Sequence, residues 1–134
     1  MSRENVEIVQ RIYEAWGVGN LSVGLADLDR HVTFVVRSPF PEPAVLNGPD
    51  AISEYLIGFF EQFEPGSHTI RATQLRAVGD TVIADVNQRA TGRTSGIEGN
   101  LEFFMLFTFR GGKIVRLESV LNEAEALEAA GLSE

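Results

Sequence analysis

Between Asn5 and Trp16 the apolar residues Val6, Val9, Ile12, Tyr13 and Trp16 recur every three or four positions, the spacing of one helix face. Ser2 and Asn5 are candidate caps. Gly17 and Gly19 stop this helix, and Leu21, Leu25 and Leu28 predict a short second one, making a helical hairpin. Val32 to Val36 is β-branched and aromatic and reads as a first strand, ended by Arg37-Ser38-Pro39, with a proline-rich loop from Pro39 to Pro43. Gly48-Pro49 opens a third helix, whose Ile52, Tyr55, Leu56, Phe59, Phe60 and Phe63 keep helical spacing until Glu64-Pro65-Gly66. Beyond it the period changes to two. His68–Val78, Thr81–Thr91, Leu101–Phe109 and Lys113–Leu121 predict a four-stranded antiparallel meander, turned at Gly79-Asp80 and Gly111-Gly112. A last helix, capped by Asn122, runs from Glu123 to Ala130, with Gly131 as its left-handed stop. Helices first and sheet last give an α+β domain spanning 1–134.

Alternation sorts the strands onto two faces. Val82, Ala84, Val86, Gln88 and Ala90 form one side of their strand, and Leu101, Phe103, Met105, Phe107 and Phe109 form an entirely apolar row on the next. These face the helices, together with Val115, Leu117, Ser119 and Leu121. The opposite face then carries Asp85, Arg89, Glu102, Arg116 and Glu118 among Ile83, Phe104, Leu106, Ile114 and Val120. So much outward apolar surface predicts either cover from the last helix or a homodimer packed sheet against sheet, of which the dimer is the sharper expectation.

Charge narrows the partners. Eleven Lys and Arg against 19 Asp and Glu give a net charge of −8, which disfavours nucleic acid and anionic membranes. The chain has no cysteine, hence no thiolate chemistry, and the N-terminal segment has no apolar core of a leader peptide, so a cytoplasmic location is the expectation. His31 and His68 lack nearby carboxylate pairs, which gives no metal site. Gly92, Gly96 and Gly99 join two strands of a meander, not a strand to a helix, so they form no dinucleotide fingerprint and no cofactor is expected.

Several segments together resemble the SnoaL-like branch of the nuclear transport factor 2-like superfamily. They are Ile8-Val9-Gln10-Arg11-Ile12-Tyr13-Glu14-Ala15-Trp16, Gly19-Asn20-Leu21, Ser38-Pro39-Phe40-Pro41, Thr91-Gly92-Arg93, Ser95-Gly96, the run Phe109 to Arg116 and the run Glu125 to Leu132. Asn20 stands where related chains often carry Asp, and both residues cap equally well. The resemblance implies a ketosteroid isomerase-like cone of curved sheet and helices, usually dimeric, on a fold that hosts isomerases, cyclases, epoxide hydrolases and binders alike. The carboxylate base and the protonated acid of its steroid isomerases fall on Val36 and Met105, and the tyrosine on Ile12 beside Tyr13, which disfavours that mechanism here. Acid–base chemistry of the cyclase or epoxide-hydrolase kind requires a strand register that turns Asp85, Arg89, Glu102 or Glu118 inward. His31 and Arg37 are further polar candidates, each with a plain surface role as the alternative.

What remains is an apolar cone. Tyr13, Trp16, Phe34, Val36, Leu56, Phe59, Phe60, Val86, Met105 and Leu117 are its expected lining, with Gln88 as the one inward polar side chain. Such a wall suits a small hydrophobic or aromatic ligand, while the same side chains can also simply fill the core.

Overall fold

The computed structural model describes residues 2–20, 22–37, 40 and 43–131. Helix α1 (Ser2–Gly17) leads to strands β1 (Leu28–Val36) and β2 (Ala44–Asn47), helix α2 (Pro49–Phe60), strands β3 (Thr69–Val78), β4 (Thr81–Thr91), β5 (Glu98–Arg110) and β6 (Lys113–Val120), and helix α3 (Glu123–Ala129). The strands form one sheet in the order β2-β1-β6-β5-β4-β3, with β1 parallel to β6 and the other pairs antiparallel. The α+β order and the meander are those the sequence predicts.

The period-two pattern decides which face is buried. Val82, Ala84 and Val86 of β4 and Phe103, Met105, Phe107 and Phe109 of β5 share one core with Val32, Phe34 and Val36 of β1. Val9, Ile12 and Tyr13 of α1 and Ile52 of α2 close over it. Helix α1 packs on β3 and β4, and α2 on β1 and β2.

Five details depart from the sequence expectations. Helix α1 already includes Ser2, so Asn5 lies within it, buried; the Ser2 side chain is outside the described residues. In place of a second helix there is a single 3-10 turn, Leu25–Asp27, and Leu28 is already extended, with Leu21 outside the described residues. Gly24 before this turn has φ 104°, a conformation that strains any residue with a side chain, and a Cβ there would also press on Ile12 Cγ1 at 3.2 Å. Strand β2 has no counterpart among the predicted elements, since four residues are too few for a period to show. Helix α2 ends at Phe60, short of Phe63, because the chain beyond it bonds to the end of β4: Glu64 N–H donates to Thr91 O at 2.8 Å and Arg93 N–H to Gln62 O at 2.8 Å. In the expected loop Phe40 is buried, while Pro39 and Pro41 lie outside the described residues.

The fifth departure changes a face. Thr108 pairs with Arg116 but Phe109 with Ile114, so Val115 is a bulged extra residue and Ile114 turns into the main core instead of outward. The remaining outward apolar residues Ile83, Leu106 and Val120 form a second core under Ala126 of α3, with Phe104 packed against it. Asn122 caps that helix through Glu125 N–H, and Arg76 ties its start to the sheet, bonding Glu123 at 2.8 Å and Asp85 at 3.3 Å.

Ser119, fully buried on β6, fastens the end of β1: its hydroxyl accepts from Arg37 N–H at 2.8 Å and donates to Arg37 O at 3.1 Å. Ser119→Ala leaves Arg37 N–H without its partner, while Arg37 O keeps the bond from Phe40 N–H at 3.0 Å, and is expected to lower the unfolding free energy by about 1–2 kcal/mol in urea denaturation. An unchanged midpoint would contradict this role.

Candidate functional site

Between the helices and the inner sheet face lies an enclosed cavity of about 30 Å³. Tyr13 and Trp16 reach it from α1, Leu56, Phe59 and Phe60 from α2, and Phe34, Gln88, Met105 and Leu117 from the sheet. Nine of the eleven side chains expected at the site therefore meet there. Val36 and Val86 are buried in the same core but do not form the wall. Four wall residues, Phe40, Ile70, Phe103 and Phe107, were not foreseen. Phe103 and Phe107 belong to the inward row of β5, so parity was a usable signal for them. Phe40 gave none, since it sits in an irregular segment.

The wall is a chain of aromatic contacts. Phe40 meets Phe59 at 5.2 Å and Phe103 at 5.3 Å between ring centres, and Tyr13 meets Trp16 at 5.5 Å and Phe107 at 5.9 Å. All four pairs are edge-to-face, the arrangement that the ring quadrupole favours.

Three polar groups need partners inside this lining. Trp16 Nε1 donates to Val23 O at 3.1 Å and is satisfied by its own chain. The Tyr13 hydroxyl is buried and has no hydrogen-bond partner, and burial raises the pKa of the phenol, so it stays protonated. Gln88, 4% exposed, places its Nε2 at 3.0 Å from Nε2 of His68. An amide nitrogen only donates, so the imidazole accepts here and is neutral, with its proton on Nδ1.

In the sequence His68 opens a predicted strand and is a candidate for metal binding alone. It has the parity of Ile70, which faces inward opposite Gln88, and this was the signal available in the sequence. Its ring lies 4.4 Å from that of Phe60 and parallel to that of Phe63 at 5.5 Å, and burial pushes its pKa below the usual histidine value. On the solvent side of this group is an open cleft of about 210 Å³ lined by Phe63, Ala90, Asn100 and Leu101. Phe59 and Gln88 line both cleft and cavity and so stand between them.

The charged residues of the alternative register are on the other face of the sheet. Asp85 pairs with Arg76, and the buried carboxylate of Glu118 lies 3.2 Å from both Arg37 and Arg116. Arg89 and Glu102 are exposed, as is His31, which accepts from Arg30 Nε at 3.2 Å. Among the described residues no carboxylate lines the cavity, and no three His, Asp or Glu side chains converge as a metal site would need. A shallower depression of about 390 Å³ between α1 and β3, with Gln10, Glu14 and Arg71 on its wall, touches the site only through Tyr13.

Comparison with known proteins fits this geometry. The family described as SnoaL-like domain matches residues 9–117. No curated protein sequence matches the chain. Among solved structures, an NTF2-like protein of unknown function from Burkholderia pseudomallei K96243 is similar at TM-score 0.76 and 19% identity, over 96% of this chain and 98% of that one. A protein of Jannaschia sp. CCS1, provisionally named a SnoaL-like polyketide cyclase, has TM-score 0.76 and 17% identity over 99% and 94%. TerC, co-crystallised with polyporic acid, has TM-score 0.73 and 18% identity over 95% and 98%. At these identities the likeness concerns the fold. No helix among the described residues is long and apolar enough to cross a membrane.

The depressed pKa of His68 has a consequence for stability. Below the ordinary imidazole value of about 6.5 the unfolded chain takes up a proton that the folded chain resists, so stability falls with acidification from there down to the folded pKa. His68→Phe lacks this proton, and its stability relative to the parent is expected to improve as pH falls from about 7.5 to about 5. Parallel pH profiles in chemical denaturation would contradict it.

Proposed function

The chain belongs to the SnoaL-like domain family, and on that premise we propose that its cone binds a small hydrophobic or aromatic molecule. Apolar contact with the aromatic wall holds the ligand, and hydrogen bonds at Tyr13 and Gln88 orient it. The observation that carries this reading is the buried Tyr13 hydroxyl without a partner. An unpaired buried donor costs about 1–3 kcal/mol, which a ligand oxygen or nitrogen recovers. Among the described residues no carboxylate lines the wall, which favours binding over carboxylate-driven acid–base turnover. On the same fold TerC was co-crystallised with polyporic acid, an analogy at the level of fold.

Size limits the ligand. A cavity of about 30 Å³ has room for a water or two and no aromatic ring. The ligand therefore enters from the cleft of about 210 Å³ and displaces the Phe59 ring that separates the two spaces. Before that ring moves the two spaces together stay below the roughly 300 Å³ at which ordinary small-molecule sites begin, which favours a ligand of one or two fused rings.

The homodimer is a separate proposal. Since α3 covers Ile83, Leu106 and Val120, it rests on the uncovered strip of half-buried Val35 and exposed Val45 beside exposed Arg116. A monomeric mass in sedimentation would remove it.

The test of the cone is 2-naphthol, titrated by calorimetry into the protein and into Tyr13→Phe. The variant is expected to be about 1 kcal/mol more stable without ligand, having lost an unsatisfied group, and to bind roughly fivefold more weakly. Unchanged stability and affinity would exclude Tyr13 from the site, and no binding to either protein would overturn the reading.

A further inference from the structure

We propose that His68 sets which polarity Gln88 presents to the cone, so that with a neutral imidazole the site selects ligands carrying a hydrogen-bond donor, such as a phenol or an N–H heterocycle. This rests on the reading of the cone as the ligand site. A primary amide has two unlike edges, a carbonyl that accepts and an NH₂ that donates. With the Nε2 atoms of Gln88 and His68 at 3.0 Å, the donor edge is committed to the imidazole. The carbonyl edge is the opposite one, and no described residue donates to it. Gln88 lines both the cavity, whose wall presents apolar surface alone, and the cleft, so the edge left over for a ligand is an acceptor and is offered on the cleft side.

Protonation inverts this arrangement. An imidazolium donates from both nitrogens, the two facing N–H groups repel, and the amide turns over to give its carbonyl to the ring and its NH₂ to the cone. The setting favours the neutral ring. Phe60 and Phe63 lie against it, and the charged groups on the surrounding elements, Glu61 and Glu64 after α2, Arg71 on β3, Arg89 on β4 and Glu98 on β5, are exposed and not hydrogen-bonded to it. Burial also holds the imidazole neutral below the usual histidine range. His68 is thus a positioning residue that acts on the ligand through Gln88.

The experiment compares two probes on one ring system, 2-naphthol with a donor and 2-methoxynaphthalene with a methyl in its place, binding to the protein, His68→Phe and Gln88→Leu between about pH 8 and about pH 4.5, Gln88→Leu giving the part of the preference due to size alone. The ¹⁵N spectrum of the imidazole is recorded alongside. The expected result at the alkaline end is a preference for naphthol of roughly tenfold, with the proton on Nδ1. The preference should collapse to the Gln88→Leu value as His68 protonates, stay at that value in Gln88→Leu at every pH, and show no pH dependence in His68→Phe. A preference for naphthol that ignores pH, or a ring protonated on Nε2 at the alkaline end, overturns the proposal while leaving the cone as the site. Failure of both probes to bind the unaltered protein overturns the cone reading and this proposal with it.

Discussion

Taking an ionised side chain out of water costs far more than burying a methyl group gains, and this asymmetry decides which face of the sheet closes over α1. On β5 the two faces are unequal: Phe103, Met105, Phe107 and Phe109 on one, Glu102, Phe104, Leu106 and Thr108 on the other. The neighbouring strands add Asp85, Arg89, Arg116 and Glu118 to the second. Turning the sheet over would bury five charges inside the cone. In the register that forms, they stay outside, where Arg76 joins Asp85 to Glu123 of α3 and Glu118 is flanked by Arg37 and Arg116. The apolar interior, the seat of α1 and the docking of α3 all follow from that one choice.

The parts of the fold that were legible are those where a pattern runs long enough to be unambiguous. The eleven residues of β4 and the stretch Leu101–Phe109 of β5 each hold one parity, whereas Glu98–Asn100, all exposed, extend β5 beyond the predicted strand, and α1 and α2 show their apolar faces plainly. The illegible parts turn on single residues or on competition between segments. One bulged residue, Val115, turned Ile114 inward, which no alternation rule foresees. Helix α2 ends early because the end of β4 offers its backbone better partners. For the site, Gln88 was visible as a polar residue in an inward row, whereas the importance of His68 depends on the pairing of β3 with β4 that sets the two opposite one another.

Whether the cone is hollow or filled was beyond the sequence, because the same aromatics can do either. The structure is nearly filled, and what space remains is bounded by side chains that have to move for a ring to enter. The contrast between Trp16 and Tyr13 is informative here. Both carry a polar tip that needs a partner when buried; Trp16 has one in Val23 O, and Tyr13 does not. A group left unsatisfied at a cost in stability, in a core otherwise closely packed, is what a binding site maintained against the stability of the free protein would show.

The most direct test of the account is methyl NMR of the protein labelled at Ile, Leu and Met and titrated with 2-naphthol. The account predicts that Leu56, Ile70, Met105 and Leu117, all on the cone wall, shift together and saturably while Ile83 and Leu106 beneath α3 stay still. Shifts confined to Ile83 and Leu106, or no saturable shift at the four wall residues, would contradict it.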